Sequence, residues 1–305
     1  MIKFFESAVQ NLNGWGIMVF IFILGSLELF FGLLEGKWSK NDKILDIVCL
    51  VAPRFIFSPL IGFFSLRILP FILPGLKDTF AWIPFTLGFF IILVTIDLSQ
   101  YWYHRLHHQL LVLWRFHRTH HSARYMSVVV NSRQNIFYVA FLSQFYITAA
   151  LVYLGLGGPA LLFNGFQTIW SYACHTSVKW DKVLYRYRIL HPFAWLLERL
   201  LVTPATHHAH HSASHGDGVG YYKGNFGGIL FIWDLIFGTA HISRKYPKQY
   251  GISNYEDDPW YAQWLWPIFK SPVIGSELAK GGPEVKVEEN EFRGYEGITK
   301  CLIIK

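Results

Sequence analysis

The stretch from Asp97 to His121, DLSQYWYHRLHHQLLVLWRFHRTHH, holds six of the chain's fourteen histidines. Side chains three or four residues apart share one face of an α-helix. The histidines with this spacing form two groups, His104 with His108, and His117 with His120 and His121. The stretch therefore predicts helices that present two sets of imidazoles.

A third group lies further along the chain in THHAHH, where His207, His210 and His211 repeat the spacing of the second group. A lone buried histidine is usually a hydrogen-bonded core residue. Matched spacings instead favour a metal site, because imidazole is a general ligand for iron, zinc and copper. Three histidines fall off this register and are expected to be outward-facing, structural or adjacent to the ligands: His107, His208 and His215. His241 is assigned no role.

The composition indicates a membrane protein. Of 305 residues, 52% are hydrophobic, 18% aromatic and only 15% charged, well away from the average soluble domain. Cys49, Cys174 and Cys301 show no paired spacing, so neither a disulfide framework nor a CxxC site is expected. The net charge of +7 suits anionic lipid headgroups, and no separate basic domain indicates nucleic-acid binding.

Three apolar runs precede the histidines. Residues 15–34 contain a single charged residue, Glu28, and are long enough to cross a hydrocarbon core of roughly 30 Å. Residues 44–73 are interrupted by prolines and arginines and predict a broken or tilted helix. Residues 81–98 predict a regular span that continues into the histidine stretch. The first imidazoles are therefore expected just beyond a membrane boundary.

Two further apolar segments, residues 136–154 and 160–173, flank the turn Gly155-Leu156-Gly157-Gly158-Pro159. A tight Gly/Pro turn between apolar segments predicts a helical hairpin that returns the chain to the side it left. We expect an all-α integral membrane protein with about four transmembrane helices, the hairpin included. A cytoplasmic helical cap is expected to carry the histidine clusters.

The charge distribution predicts the orientation. Basic residues are concentrated in the loop 35–43 and in the histidine-bearing segments, whereas the loop around Lys77 and Asp78 is nearly neutral. By the positive-inside rule, the histidines are then cytoplasmic and the N-terminus is outside. The second run is compatible with a span or with an interfacial position, and the membrane with a bacterial inner membrane or the endoplasmic reticulum.

Eight imidazoles at matched spacings are more than one metal ion needs. A zinc ion takes about four ligands, and an iron with two histidines and a carboxylate takes three. Two ions would use them all. Two irons with open positions can activate dioxygen to attack an unactivated C–H bond, and lipid tails consist of such bonds.

The boxes HRLHH (104–108), HRTHH (117–121) and HHAHH (207–211) resemble those of the fatty acid hydroxylase and sterol desaturase superfamily, which are membrane-bound histidine-box di-iron oxygenases. NFG at 225–227 and WDLIFGT at 233–239 resemble two signatures that follow the third box in that family. The resemblance covers roughly residues 90–240. It divides the chain into N-terminal membrane helices (1–80), a fatty acid hydroxylase-like catalytic domain (81–242) and a polar C-terminal tail (243–305).

The resemblance implies nine metal ligands and no catalytic residue beyond them. They are His104, His108, His117, His120, His121, His175, His207, His210 and His211. A tenth ligand stays open among His191, His208, an acidic residue and water. Asp97 is expected either to orient a ligand imidazole or to end its helix at the interface, and Asp234 either to orient a ligand or to close the domain.

The implied activity is O2-dependent hydroxylation or desaturation of a lipid, with a sterol or fatty-acyl-type substrate, at two iron ions. No GxGxxG loop or ferredoxin-like cysteine spacing is found. We therefore expect a separate electron donor, which is a cytochrome b5-like protein, a ferredoxin with its reductase, or a reduced pterin. Two alternatives stay open: a membrane haem protein, which needs only paired histidines, and a metal-binding or transport protein without oxygenase activity, whose ligands should lie within the spans.

Overall fold

A computed structural model describes residues 16–32, 34, 38–253 and 257–279, except for the side chain of Arg54. Within these ranges the protein is all-helical, and its β-type pairing is limited to three isolated bridges. The all-α prediction is therefore confirmed.

The helices run in the following order along the described chain. They are α1 (Ile17–Phe30), α2 (Lys40–Phe63), α3 (Leu69–Ile72), α4 (Phe85–Gln109), α5 (Leu111–His121), α6 (Ile136–Ala140), α7 (Ser143–Leu151), α8 (Gly157–His175), α9 (Lys182–Arg186), α10 (His191–Leu200), α11 (Pro204–His210), α12 (Ile232–Ile236) and α13 (Trp260–Leu265). Two 3-10 turns, Val128–Ser132 and Arg188–Leu190, and two π-helical turns, Phe64–Ile68 and Val152–Leu156, lie between them.

Three helical stretches are long and apolar enough to cross a membrane: Lys40–Ile72, Phe85–Gln109 and Ile136–His175. The first of them carries large apolar side chains that face outward, such as Phe55 (76% exposed) and Phe71 (82% exposed). Apolar side chains that face outward are unfavourable in water but favourable in the hydrocarbon core of a bilayer. The protein is an integral membrane protein.

The first predicted span differs from the structure in length. α1 has 14 residues, about 21 Å at 1.5 Å per residue, against roughly 30 Å for the hydrocarbon core. Trp15, where the predicted span starts, lies outside the described residues. After α1 the chain turns at Gly32, which has a φ of 61°.

The second predicted span is less broken than expected. α2 continues through Pro53 and Pro59, and its geometry changes only in the π-helical turn Phe64–Ile68. The next proline, Pro70, has no N–H for the carbonyl of Leu66 four residues earlier, and Leu66 lies within this wider turn.

The predicted helical hairpin forms. Gly155 turns the chain with a φ of 109°, and a Cβ at this position would lie 2.7 Å from the backbone nitrogen of Ala81, so only glycine fits. The arms α7 and α8 run antiparallel. A hydrogen bond of 3.0 Å joins them, from the Gln167 amide to Gln144. The turn packs on the loop before α4, where Phe80 N donates to Leu154 O at 2.7 Å.

α4 is the centre of the bundle. Its residues Ile92 and Ile96 are fully buried and pack with Phe163 of α8 and with Ile229, which follows the third histidine box. This contact joins the apolar bundle to the histidine end of the molecule. The hairpin turn and the loop before α4 lie at the opposite end of the helices.

Part of the predicted C-terminal tail is folded. Residues 257–279 include α13, which packs on α2, and Asp258 forms a 2.7 Å ion pair with Arg118 of α5. Residues 280–305, with Cys301, lie outside the described residues. The domain boundaries stay a prediction.

Candidate metal centre

The nine predicted ligands come together in two adjoining groups at one end of the helix bundle. Cluster A consists of His104, His108, His117, His121 and His210, and cluster B of His120, His175, His207 and His211. In each cluster the ligand nitrogens lie within 4.8 Å of one another. Each cluster could hold one metal ion.

Local sequence signals position the helices that carry the boxes. α4 ends at Gln109, and the extended backbone of the next residue, Leu110 (φ −105°, ψ 116°), turns the chain so that α5 packs against α4. α11 begins with a reciprocal capping box between Thr203 and Thr206, with Pro204 in the first turn. Such a box fixes the first turn of a helix, so the third group of histidines is presented by a short but well-defined helix.

Each histidine triplet is divided between the clusters, which the shared-face expectation did not foresee. His117 and His121 belong to cluster A whereas His120 belongs to cluster B, and His210 is separated in the same way from His207 and His211. Consecutive residues on a helix point about 100° apart. Neighbours such as His120 and His121 therefore point into two different clusters from one helix.

Backbone carbonyls fix the orientation of four imidazoles. The Nδ1 atoms of His104, His210, His120 and His175 lie 2.9, 2.7, 3.1 and 2.8 Å from the carbonyl oxygens of Phe226, Gly224, Val130 and Ser171, respectively. A carbonyl oxygen only accepts, so each Nδ1 carries the hydrogen. In the neutral ring the lone pair is then on Nε2, as metal ligation requires.

These Nε2 atoms face one another. Those of His104 and His210 are 3.0 Å apart, and those of His120 and His175 are 3.2 Å apart. Two lone pairs at this distance repel each other unless a cation lies between them. Two nitrogens bound to one ion at ~2.1 Å and near a right angle are roughly 3.0 Å apart, so the donor set fits a metal ion in each cluster.

Burial keeps the imidazoles neutral. It is the main reason why the pKa values of the ligand histidines on α5 and at the third box lie well below the usual range of histidine, and neighbouring imidazoles lower them further. Neutral imidazole is the form that binds metal. The two clusters are in direct contact, because the ring of His121 in cluster A stacks on the ring of His211 in cluster B, with centroids 4.3 Å apart.

A model of the fatty acid hydroxylase family matches residues 89–239, the region that contains all nine histidines of clusters A and B. The chain belongs to the fatty acid hydroxylase superfamily. It is 32% identical over 147 residues to an alkylglycerol monooxygenase from Danio rerio, a match that covers 47% of this chain and 28% of that protein.

Two further relatives are named as enzymes that act on lipids. An alkylglycerol monooxygenase from Homo sapiens is 28% identical over 223 residues, 65% of this chain and 46% of that protein. The ornithine lipid hydroxylase OlsE from Rhizobium tropici is 28% identical over 154 residues, 49% of this chain and 40% of that protein. The matches thus span less than half the length of these three relatives. No solved structure matches the chain.

In this fatty acid hydroxylase superfamily member, the NFG and WDLIFGT motifs hold the carbonyls that orient the ligands. The Asp234 carboxylate accepts hydrogen bonds from Phe226 N (2.8 Å), Gly227 N (2.7 Å) and the Thr239 hydroxyl (2.6 Å). Burial raises the pKa of Asp234 to about 6, while these three donors act in the opposite direction. Asp234 therefore acts on His104 through the Phe226 backbone.

Asp97 has a different role from both expectations. It is fully buried within α4 and accepts hydrogen bonds from Ile229 N (2.8 Å), Leu230 N (3.0 Å) and the Trp233 indole (2.9 Å). Asp97 thus ties α4 to the loop after NFG rather than bonding an imidazole or ending the helix.

The other histidines lie outside the two clusters. His208 is buried, donates from Nε2 to Thr176 O (3.1 Å) and accepts at Nδ1 from the Tyr250 hydroxyl (2.8 Å). His191 donates to Tyr185 O at 3.1 Å. Neither of these candidates for a tenth ligand therefore joins the other ligands. His107 and His215 also bond backbone carbonyls.

Glu28 is a site residue that sequence reasoning missed. It is only 1% exposed, and its carboxylate accepts hydrogen bonds from the backbone or hydroxyl groups of Ser127, Val128, Thr176 and Ser177. These residues flank the Val130 carbonyl and His175 of cluster B. The available signal was a carboxylate within an apolar run, which usually marks a functional position in a membrane protein.

Proposed function

We propose that the protein is a membrane-bound non-haem di-iron oxygenase that uses O2 to hydroxylate a lipid, with desaturation as the alternative outcome at the same site. The observation that carries this proposal is the two sets of neutral, inward-facing Nε2 atoms. The names of the relatives, alkylglycerol monooxygenase and ornithine lipid hydroxylase, support a lipid as the substrate.

The ligands of cluster A would hold one iron and those of cluster B the other. Two irons at these positions would supply the activation of O2 and the oxidation of a C–H bond. Hydroxylation consumes one O2, two electrons and two protons for each hydroxyl group formed, and the second oxygen atom leaves as water. A separate donor, such as a cytochrome b5-like protein, a ferredoxin with its reductase or a reduced pterin, would supply the electrons.

The protein's own residues prepare this site in two ways. Carbonyl groups of Gly224, Phe226 and Val130 fix the ring orientations before any metal binds, which reduces the reorganisation that binding requires. Burial excludes water from the ligands, since His210 is fully buried and His117 is only 1% exposed. A dry site limits side reactions of an activated oxidant.

We further propose about four transmembrane helices, the hairpin included, with the N-terminus outside and a cytoplasmic cap that carries both clusters. The basic residues near the histidine end and the nearly neutral loop around Lys77 and Asp78 at the opposite end support this orientation. The clusters would then face the compartment that contains soluble electron donors, in a bacterial inner membrane or the endoplasmic reticulum.

The deciding experiment measures metal content per chain and the optical spectrum of the protein purified in mild detergent. About two irons and no haem absorption are expected, and a haem spectrum would overturn the proposal. His120→Ala and His210→Ala should abolish O2-dependent lipid oxidation while the chain still inserts into the membrane. His215→Ala, outside both clusters, is the matched control and should retain the activity.

A further inference from the structure

A cavity of about 220 Å³ lies beside cluster A, between the end of α4, α5 and the segment around α6. Apolar side chains form most of its wall, namely Leu106, Leu113, Phe116, Phe137 and Phe141. Tyr103, His107 and Tyr138 complete the lining. None of these residues belongs to the two clusters, so the cavity is separate from the metal ligands.

Two polar groups of the lining, the His107 imidazole and the Tyr103 hydroxyl, already donate to backbone carbonyls of lining residues. His107 donates from Nδ1 to the Tyr103 carbonyl at 2.7 Å, and the Tyr103 hydroxyl donates to the Tyr138 carbonyl at 2.8 Å. A ligand would therefore find aliphatic and aromatic contacts and would compete with internal hydrogen bonds for any polar one. This lining fits an apolar ligand.

At the inner end of the cavity two lining residues, Tyr138 and His107, contact the His117 ring of cluster A, and Tyr138 is the nearer. Tyr138, which is only 4% exposed, lines the cavity and stacks on the His117 ring with centroids 4.7 Å apart and an interplanar angle of 24°. A ligand in the cavity would thus be separated from a cluster A imidazole by the thickness of a single aromatic ring.

The outer end is continuous with the apolar surface of the membrane-spanning helices. Leu106 is 40% exposed, Phe141 67%, and Val112 at the start of α5 64%. Leu106 lies in α4, one of the three stretches able to cross a membrane. A molecule could therefore enter from the bilayer without passing through water.

We propose that this cavity binds one linear alkyl or acyl chain of a membrane lipid, and that Tyr138 sets how closely the chain approaches cluster A. The volume supports a flexible chain segment over a rigid sterol, because pockets that enclose most of a drug-sized ligand usually measure roughly 300–1,000 Å³, and a flexible chain can occupy a smaller cavity with part of its length. The proposal rests on the proposed function for any oxidation that follows, but binding of the chain requires neither metal nor O2.

The test uses photochemical cross-linking to the metal-free full-length protein in lipid nanodiscs, with palmitic acid that carries a diazirine on its chain. Cross-links are located by mass spectrometry. We expect labelling of Phe137 and Tyr138, because they line the cavity, whereas Phe141 is 67% exposed and can be labelled from the bilayer. Leu113→Trp, which fills the cavity, should reduce this labelling about tenfold, equivalent to ~1.4 kcal/mol or roughly two excluded methylenes, whereas Leu113→Ala should retain it.

Val94→Trp is the matched control, because Val94 lies on the same helix α4, is 45% exposed and does not line the cavity. In this variant the palmitate probe should label Phe137 and Tyr138 as in the unmodified protein. A sterol that carries the same photoreactive group should label exposed helix faces, Phe141 included, but not Phe137 or Tyr138. Labelling of Phe137 or Tyr138 by the sterol, or labelling of these two residues by the palmitate probe that is unchanged in Leu113→Trp, would overturn the proposal.

Tyr138→Ala decides the question independently if Leu113→Trp does not fold. Removing the ring should extend the cross-links to the segment 117–121, and their confinement to lipid-facing surfaces would contradict the proposal. A chain that binds here but is never oxidised would retain the cavity assignment and refute the hydroxylase. If the lipid is oxidised but Leu113→Trp does not change the labelling, the hydroxylase would be retained and the cavity assignment refuted.

Discussion

The Glu28 carboxylate accepts a 2.7 Å hydrogen bond from the hydroxyl of Thr176, the residue that follows His175. Glu28 lies in α1, outside the region 89–239 that matches the family. It also bonds Ser127 and Val128, in the turn whose Val130 carbonyl orients His120. One carboxylate from the N-terminal helix thus supports the segments that position two of the four histidines of cluster B.

Glu28→Gln should weaken metal binding at cluster B selectively. The carboxylate serves only as an acceptor, whereas a glutamine amide would turn an NH2 group toward donors. Loss of such support typically lowers metal affinity 10–100-fold. Titration of the metal-free variant with Fe2+ should give one tight site and one weakened site. Glu198→Gln, at another buried glutamate that pairs with Arg244, is the control and should bind both ions tightly.

The division of the triplets between clusters predicts an unusual pattern of double variants. His117→Ala with His121→Ala removes two ligands from cluster A alone, and the purified protein should keep about one ion per chain. His120→Ala with His121→Ala removes one ligand from each cluster, and both sites should weaken. Metal analysis distinguishes the pairs. Loss of both ions in the first double variant would contradict the assignment to clusters.

The two adjacent aspartates Asp257 and Asp258 offer a matched test of ion-pair burial. Asp258 pairs with Arg118 at 2.7 Å, and their side chains are 0% and 5% exposed. Asp257 pairs with Arg124 at 3.2 Å, and both side chains are more than half exposed.

Asp258→Asn should therefore destabilise the protein by about 1–3 kcal/mol, because Arg118 loses its fully buried carboxylate while it retains the 3.1 Å ion pair with Glu277. Asp257→Asn should cost at most about 1 kcal/mol. Thermal unfolding of the two variants in the same detergent measures the difference, and equal melting temperatures would show that the contact between residues 257–279 and α5 contributes little.

The helical hairpin and eight of the nine clustered histidines could be predicted from sequence because each depends on local spacing, whereas His175 followed only from the family resemblance. A Gly/Pro turn between apolar segments fixes a hairpin wherever it occurs, and Gly155 has the positive φ that such a turn needs. The assignment of His120 and His121 to different clusters was not predictable, because it depends on how α4, α5 and α11 cross. Asp97 was misjudged for a similar reason, since its partners Ile229 and Leu230 are more than a hundred residues away.

The proposed orientation predicts where added tags are reached. A protease-cleavable tag at the C-terminus should be cut only from the cytoplasmic side of intact membranes, and a tag at the N-terminus only from the other side. Disrupting the membrane with detergent should expose both tags, which confirms that each is cleavable. Protection of the C-terminal tag from a cytoplasmic protease would reverse the orientation of both clusters.

Falling pH should destabilise the metal-free protein. Unfolded histidine titrates near pH 6.5, whereas burial lowers the pKa of His208 to about 3 and places those of His117 and His211 well below the usual range. Below pH ~6.5 the unfolded chain therefore binds protons that the folded chain excludes, so stability is complete above that pH and falls as pH decreases. The slope is up to ~1.4 kcal/mol per pH unit for each such histidine.

Chemical unfolding of the metal-free protein at about pH 7.5 and about pH 5.5 measures this slope. His208→Gln should make it shallower by the contribution of one histidine, because the glutamine amide does not titrate and can both donate to the Thr176 carbonyl and accept from the Tyr250 hydroxyl. Equal stability at the two pH values would mean that the buried imidazoles take up protons in the folded state. The site would then not be held in the neutral form that metal binding needs.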